Sequence, residues 1–235
     1  MDIQGRAAAD RLCRLYEVLE ALRSRRGGFQ QLRSCRSADI AARRGVYFFF
    51  EPGEARCGSG VGPRVVRVGT HGLGAGGKTT LWNRLSQHRG SAGGGNQRGS
   101  IFRRHVGAAL MEAGRVSRVE GWWIGSTTTP EQRAAEREVE AAVSATIGAM
   151  PFLWLGIDDE PGPNSLRGVV ERNCIALLAS DEARLLDPPS SSWLGHHARA
   201  PEIRASGLWN VRHVGEVPEP GFLDLLERLV DEKGA

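Results

Sequence analysis

Two short apolar runs followed by a helix constrain the fold of this chain more than any other part of its sequence. The first run, GVYFFFE, covers residues 45–51, and the second, RVVRVG, covers residues 64–69. Both runs are rich in β-branched and aromatic residues, which favour strands, and the glycine- and proline-rich segment between them is typical of a turn. We therefore predict an antiparallel hairpin with a long loop, followed by a helix over residues 79–88.

Apolar periodicity predicts further helices around this hairpin. Leucines at helical spacing predict a first helix over residues 6–26, which Gly27 and Gly28 would end. The remaining predicted elements are short strands over 121–125 and 152–157 and helices over 101–113, from Thr129-Pro130 to about 148, from Ser165 to about 179, and over 219–232. The fold class predicted from this order is α+β, with a small antiparallel sheet flanked by helices.

Composition narrows the class of protein. A chain of 235 residues can bury one substantial core. No apolar run approaches the ~20 residues that a membrane-spanning helix needs, and no signal-type apolar stretch opens the chain, so we expect a cytoplasmic protein without membrane association. The four cysteines form no CxxC pair, which argues against a zinc site and a disulfide scaffold. A net charge of +4 permits nucleic-acid binding.

The predicted helix over residues 79–88 carries two polar residues on its inward face. Leu81, Arg84, Leu85 and His88 stand at i, i+3, i+4 and i+7, which is the apolar stripe of an amphipathic helix. A buried arginine without a partner is costly. Two interpretations stay open: a phosphate faces Arg84 and His88, or a carboxylate pairs with Arg84 while His88 lies at the end of the helix.

A glutamate occupies a similar position on the helix predicted after Ser165. Glu171 falls inside an apolar face, and Arg167 lies one turn before it. Glu171 is therefore either paired with Arg167 or used as a ligand for Mg²⁺. In the first strand, alternation places Tyr47 on the same face as Phe49.

The order of these features resembles the GIY-YIG nuclease domain. The sequence has G-x-Y at 45–47, x-V-G at 67–69, R-x-x-x-H at 84–88 and a glutamate helix, ERNCIALL, at 171–178. The resemblance implies an active site formed by Tyr47, Arg84, His88 and Glu171, in an endonuclease that depends on Mg²⁺ (or Mn²⁺). It also implies that Glu171 is the metal ligand and that nucleic acid, as double-stranded DNA, is the partner.

The resemblance also implies a mechanism. A water attacks phosphorus and its proton passes toward Tyr47 or His88, Arg84 offsets charge on the non-bridging oxygens, and Mg²⁺ on Glu171 stabilises the leaving 3′-oxygen. We predict substrate contacts from six cationic or imidazole side chains: Arg67, His71, Lys78, Arg98, Arg103 and Arg104. The last three lie in a glycine-rich basic segment, residues 93–107, which is either a lid that grips the phosphate backbone or a solvent loop with a basic helix end.

Three departures from the family pattern affect the expected organisation and activity. Arg67 stands where a tyrosine is usual, and residues 183–192 lack the asparagine expected after the glutamate. The long interval between His88 and Glu171 implies an insertion at about 90–150. We predict an N-terminal helical extension over 1–44 and a GIY-YIG-like domain over 45–235. A protein of this fold that binds DNA without cutting it stays an open alternative.

A second motif competes with this interpretation. Residues 72–79 read GLGAGGKT and match the phosphate-loop pattern G-x-x-x-x-G-K-T, and FLWLGID at 152–158 resembles a strand that ends in a magnesium-binding aspartate. The preceding strand, however, ends before Thr70 and contains Arg67, which suits a central parallel strand poorly. The chain also lacks the repeated βα alternation of nucleotide-binding sheets. Nucleotide binding is therefore kept as an alternative.

Overall fold

The computed structural model describes residues 3–123, 125 and 129–233. These residues form four strands, in the spatial order β1-β4-β2-β3 with every neighbouring pair antiparallel: β1 Gln30–Gln31, β2 Gly45–Ala55, β3 Pro63–Gly69 and β4 Pro151–Gly156. They also form eight α-helices: α1 Ile3–Arg25, α2 Leu81–Arg89, α3 Ile101–Glu112, α4 Pro130–Gly148, α5 Leu166–Leu178, α6 Asp181–Leu186, α7 Pro201–Ser206 and α8 Phe222–Lys233. The predicted α+β class is confirmed.

Strand β2 is buried on both faces, which explains why its sequence is continuously apolar. Val46 and Phe48 face a core built with α1, α5 and α8, whereas Tyr47 and Phe49 face a core built with α2, α3 and α4. The alternation predicted for this strand is therefore correct. The sheet is the middle layer between two helical layers.

The hairpin of β2 and β3 has a shorter loop than the sequence suggests, because both strands extend beyond the apolar runs. The loop covers residues 56–62 only. The carboxylate of Asp187, just after α6, accepts the backbone N–H groups of Cys57, Gly58 and Ser59. Asp187 thus fixes a loop that is distant from it in the sequence. No local pattern in the sequence reveals such a contact.

Most predicted helix boundaries agree with the structure to within a few residues. The N–H of Gly28 donates to the carbonyl of Arg23 at 2.9 Å, with Gly27 and Gly28 at φ of 72° and 117°, which is the geometry of a helix C-terminus that glycine allows. The hydroxyl of Thr129 accepts the N–H of Gln132 and begins α4 as predicted. Ser165 precedes α5, but its hydroxyl donates to Asp159 instead of capping the helix.

The strand predicted at residues 121–125 is wrong for the part that the structure describes. Gly121, Trp122 and Trp123 form a turn, and Ile124 lies outside the described residues. The indole N–H of Trp122 donates to the carbonyl of Arg104, and a Cβ on Gly107 would stand 2.8 Å from Cε2 of Trp122 and closer still to Cζ2. Trp122 therefore packs on α3, and the described part of the run pairs with none of the described strands.

Helices α3 and α4 occupy the interval predicted as an insertion. They pack on each other and on α2 and supply much of the second core. Among the described residues, no helix combines the length and the apolar character needed to cross a membrane.

Candidate active site

A cleft of about 660 Å³ opens where β3 ends, beside the N-terminal ends of α2 and α3 and one face of α5. Four of the predicted site residues line it: Arg67, His71, Arg84 and Glu171. They come from β3, from the loop after it, from α2 and from α5. Segments far apart in the sequence thus contribute polar side chains to one cavity.

Glu171 presents its carboxylate to the cleft from α5. Its Oε1 accepts the backbone N–H of Thr70 at 3.0 Å. Burial raises the pKa of the Glu171 carboxyl, and this N–H and the charges of Arg67, His213 and Arg84 offset part of that rise. The carboxylate of Glu171 therefore lies between the apolar interior on one side and the cationic side chains of the cleft on the other.

The alternative pairing of Glu171 with Arg167 is not what the structure contains. Arg167 is fully buried, forms an ion pair with Asp159 and donates to the carbonyl of His71 at 2.6 Å. Asp159 therefore has a structural partner on α5, and Glu171 is left facing the cleft.

A shift of strand register brings Arg67 into the cleft. Phe49 pairs with Arg67 but Phe50 pairs with Val65, which is the mark of a β-bulge at Val66. The Arg67 guanidinium lies over the Phe102 ring, 4.6 Å from its centroid, and donates to the carbonyl of Trp209. Burial lowers the pKa of Arg67, and the nearby phenol of Tyr47 and the carboxylate of Glu171 favour its charged form.

Arg84 reaches the same cleft from α2. Its guanidinium donates to the side chain of Gln87 at 3.2 Å and to the carbonyl of Gly99 at 3.1 Å, both neutral acceptors. Among the described residues, no carboxylate forms an ion pair with it, so the alternative of an Arg84–carboxylate pair is not seen. A partly exposed guanidinium with neutral partners retains its attraction for an anion.

Tyr47 and His88 lie beneath the cleft and do not line it. Both side chains are fully buried, with the Tyr47 hydroxyl 2.8 Å from Nε2 of His88 and the hydroxyl of Ser100 2.7 Å from Nδ1. Burial, together with the charges of Arg84, Arg67 and Arg103, lowers the pKa of His88 well below its usual value. At neutral pH the imidazole of His88, which links the hydroxyls of Tyr47 and Ser100 by hydrogen bonds, is therefore uncharged.

The predicted lid arginines lie away from the cleft lining. Arg98 forms a two-bond ion pair with Glu136 at 2.6 and 2.7 Å, and the fully buried Arg103 pairs with Glu140. Arg104 donates to Gln97 at 2.6 Å. These contacts tie the glycine-rich segment to α4 and α3.

The GLGAGGKT segment forms a loop at the rim of the cleft, and Lys78 is exposed on it. Helix α2 begins at Leu81, after Lys78 and Thr79, and β3 is an edge strand of an antiparallel sheet. A phosphate loop instead runs from a parallel strand directly into a helix that Lys and Thr open. The geometry around GLGAGGKT differs from that arrangement on both sides.

Side chains outside the predicted catalytic and substrate-binding set also line the cleft, among them His105, Asn210 and His213. The Asn210 carboxamide accepts the N–H of Val68 at 3.1 Å and donates to its carbonyl at 2.8 Å, so it covers the edge of β3. Asn210 lies beyond residues 183–192, where an asparagine was expected. No local pattern marks Asn210 and His213 as cleft residues, because only the chain path after α7 brings residues 210–213 to β3.

A divalent metal in this cleft would depend on the carboxylate of Glu171. Among the described residues, no group of three or more His, Cys, Asp or Glu side chains could form a complete protein cage. Mg²⁺ is commonly held by one or two carboxylates together with waters and substrate phosphate oxygens. Glu171, with only Oε1 bonded to a donor in the described part of the chain, fits that mode of binding.

Comparison with known proteins agrees with this geometry. A family model described as a GIY-YIG domain matches residues 6–235, which is nearly the whole chain. No curated protein and no solved structure matches it. The match spans the hairpin, α2 and α5, which carry the cleft residues, and also α3 and α4. This chain belongs to the GIY-YIG domain family.

Proposed function

We propose that this protein is an endonuclease that hydrolyses phosphodiester bonds of DNA and depends on Mg²⁺ or Mn²⁺. GIY-YIG domains are nuclease domains that act on nucleic acid, and the family match supports that class. One observation carries the proposal: a single cleft brings the guanidinium groups of Arg67 and Arg84 together with the carboxylate of Glu171. Two cations suit a phosphate, and a partly buried carboxylate beside them suits a divalent ion.

The arginines bind and orient the scissile phosphate in this proposal. Arg84 is the more accessible of the two and contacts a non-bridging oxygen. Arg67 is fixed by Phe102 and the Trp209 carbonyl, so it meets the phosphate without losing side-chain freedom. Both guanidinium groups offset negative charge as it develops on phosphorus-bound oxygens.

Glu171 is the residue that would hold the metal. When bound, the ion supplies positive charge that stabilises the leaving 3′-oxygen. The N–H of Thr70 restrains one carboxylate oxygen of Glu171, which orients the other toward a ligand. The cations around Glu171 favour its ionised form, which is the form that binds metal.

Tyr47 and His88 lie beneath the residues that would bind the phosphate, and their burial restricts the part they can play in the reaction. The hydroxyl of Tyr47 lies near the guanidinium of Arg67 and favours its charged form. The same hydroxyl is hydrogen-bonded to Nε2 of His88. Proton transfer from a cleft water to Tyr47 would therefore have to pass the Arg67 side chain. Their supported role in this proposal is to position Arg67 from below.

The test is cleavage of supercoiled plasmid DNA with Mg²⁺, with EDTA as a parallel arm, by the parent protein and by Glu171→Gln. We expect nicked or linear plasmid from the parent with metal only. Glu171→Gln should reduce the cleavage rate by roughly 10²–10⁴-fold, the range for loss of a central catalytic interaction. Glu138→Gln is the matched control, because Glu138 is an exposed glutamate on α4 outside the cleft.

Two results would contradict the proposal. Cleavage that persists in EDTA would remove the metal requirement, and equal cleavage by parent and Glu171→Gln would remove the assignment of Glu171. If the parent binds plasmid but does not cut it under any metal, the binding-only alternative is correct.

A further inference from the structure

A histidine at the mouth of the cleft is held in an unusual backbone conformation. His213 has φ of 66°, and among the described residues it is the one non-glycine residue with positive φ. Such a conformation is disfavoured for a side-chain-bearing residue and persists where the surroundings impose it. The carbonyl of His213 accepts the N–H of Glu216, which closes a turn. The turn places His213 among the residues that line the cleft.

A carboxylate orients this imidazole. Nδ1 of His213 lies 2.7 Å from Oε1 of Glu216. An ionised carboxylate only accepts hydrogen bonds, so Nδ1 carries a proton in this pair. In the neutral ring, Nε2 is then the nitrogen with a free lone pair. A base whose orientation and tautomer are set by a third group is the arrangement of a catalytic dyad.

Helix α5 couples the dyad to the proposed metal ligand. Arg172 follows Glu171 in that helix and approaches Glu216 at 3.9 Å and Glu219 at 2.6 Å. Asn173 accepts the backbone N–H of Glu219 at 2.6 Å. Residues 213–219 are therefore docked on the helix that carries Glu171. His213 lies close enough to Glu171 to influence the charge on its carboxyl.

The other imidazoles at the site are less suited to accept a proton. His88 is buried beneath the cleft and bonded at both nitrogens. His71 and His105 line the cleft, but burial, reinforced by Arg167 at His71 and by Arg67 at His105, lowers the pKa of each to about 4. His213 combines access to the cleft with an orienting carboxylate.

We propose that His213, oriented by Glu216, is the proton acceptor for the attacking water in the reaction proposed above. An O–H bond of the water breaks and its proton passes to Nε2, while the water oxygen forms a bond to phosphorus. The bond between phosphorus and the 3′-oxygen breaks. The 3′-oxygen then takes a proton from solvent, and His213 returns its proton to solvent. This assignment rests on the proposed nuclease function.

The test is chemical rescue of His213→Gly. Glycine adopts positive φ without strain and leaves room for an added imidazole. We expect cleavage to fall by roughly 10²–10³-fold and added imidazole to restore it by roughly tenfold or more, as expected for loss of a general base. His213→Asn should show the same loss without rescue, because asparagine tolerates this backbone conformation but fills the space. Glu216→Gln should give a smaller loss.

The controls separate the possible failures. His197→Gly removes an exposed imidazole at the end of a 3₁₀ helix, Leu194–His197, and should leave cleavage unchanged with or without imidazole. DNA binding in EDTA should be the same for the parent and His213→Gly, and the thermal unfolding midpoint of His213→Gly should be no lower than that of the parent, because glycine relieves the strain at φ of 66°. Parent-like cleavage by His213→Gly, or a loss that imidazole does not restore, overturns the assignment of His213. Failure of the parent to cleave, in contrast, overturns the proposed function itself.

Discussion

The ring of Tyr47 occupies the space above Gly69 on the neighbouring strand. The two residues pair across β2 and β3, and an ideal Cβ on Gly69 would stand 2.5 Å from Cζ of Tyr47 and closer still to its hydroxyl oxygen. A glycine at this position thus lets the Tyr47 hydroxyl reach His88 and the region of Arg67. Tyr47 and Gly69, the last residues of the G-x-Y and x-V-G motifs, therefore form one packed unit.

Gly69→Ala should therefore destabilise the protein. The new methyl group meets a ring that is fixed by its bond to His88, and overpacking of this kind costs about 1–3 kcal/mol of unfolding free energy. Urea unfolding measures the change. Gly74→Ala is the matched control, since a Cβ there has no neighbour within 4 Å. Equal stability of both variants would mean that Tyr47 moves freely.

Arg84→Ala should reduce catalysis without reducing stability. Arg84 is partly exposed and has only neutral partners, so its loss leaves no buried charge unpaired. If it contacts the scissile phosphate, the cleavage rate should fall by roughly 10²–10⁴-fold. The measurement is plasmid cleavage together with the thermal unfolding midpoint. A cleavage rate like that of the parent would remove Arg84 from the site.

Arg103→Ala should show the opposite pattern. Arg103 is fully buried against Glu140, and it also donates to the carbonyl of His88 at 2.9 Å. Removing one partner of a buried ion pair typically costs about 3–5 kcal/mol. We expect a large loss of unfolding free energy in urea, with the specific activity of the remaining folded protein preserved. Loss of DNA affinity without loss of stability would instead support the lid interpretation.

Lys78→Ala should lower cleavage by less than roughly tenfold, as expected for one peripheral phosphate contact. Lys78 is exposed on a loop that precedes α2, so its loss does not disturb packing. A titration with ATP and Mg²⁺ should show no binding that depends on Lys78. Nucleotide binding by the parent that Lys78→Ala abolishes would favour the phosphate-loop alternative.

Stability should fall as the pH is lowered from about 7 toward 5. Burial depresses the folded-state pKa of three histidines: His88 well below its usual value, and His71 and His105 to about 4. The unfolded chain binds protons near pH 6.5 at these positions and the folded chain does not, so unfolding is favoured below that pH. Each histidine contributes a slope of up to about 1.4 kcal/mol per pH unit.

Urea unfolding at several pH values checks this dependence. His105→Gln should reduce the slope, whereas His197→Gln, at an exposed position, should leave it unchanged. Equal slopes for the parent and His105→Gln would show that His105 binds its proton equally well in the folded and the unfolded chain.

Local patterns were sufficient for much of the fold and for part of the site. The strand alternation at Tyr47 and the inward stripe of Leu81, Leu85 and His88 depend only on residue period, and the structure agrees with both, whereas Arg84 is partly exposed at the cleft. The position of Glu171 inside an apolar face also followed from helical rotation. Helical rotation could not decide whether Arg167 pairs with Glu171. In the structure Arg167 pairs instead with Asp159, from the loop before α5.

The sequence by itself determined most of the strands and helices, the shared face of Tyr47 and Phe49 in β2 and the position of Glu171 within the apolar stripe of α5. These features follow from the side-chain period of two residues in strands and 3.6 residues in helices, which can be read from residues close together in the sequence. Only the tertiary structure decided that a bulge turns Arg67 into the cleft, that Arg98 and Arg103 pair with α4, and that His213 reaches the cleft mouth. Those outcomes depend on contacts between segments far apart in the chain, and local periodicity carries no information about which distant residue supplies the partner.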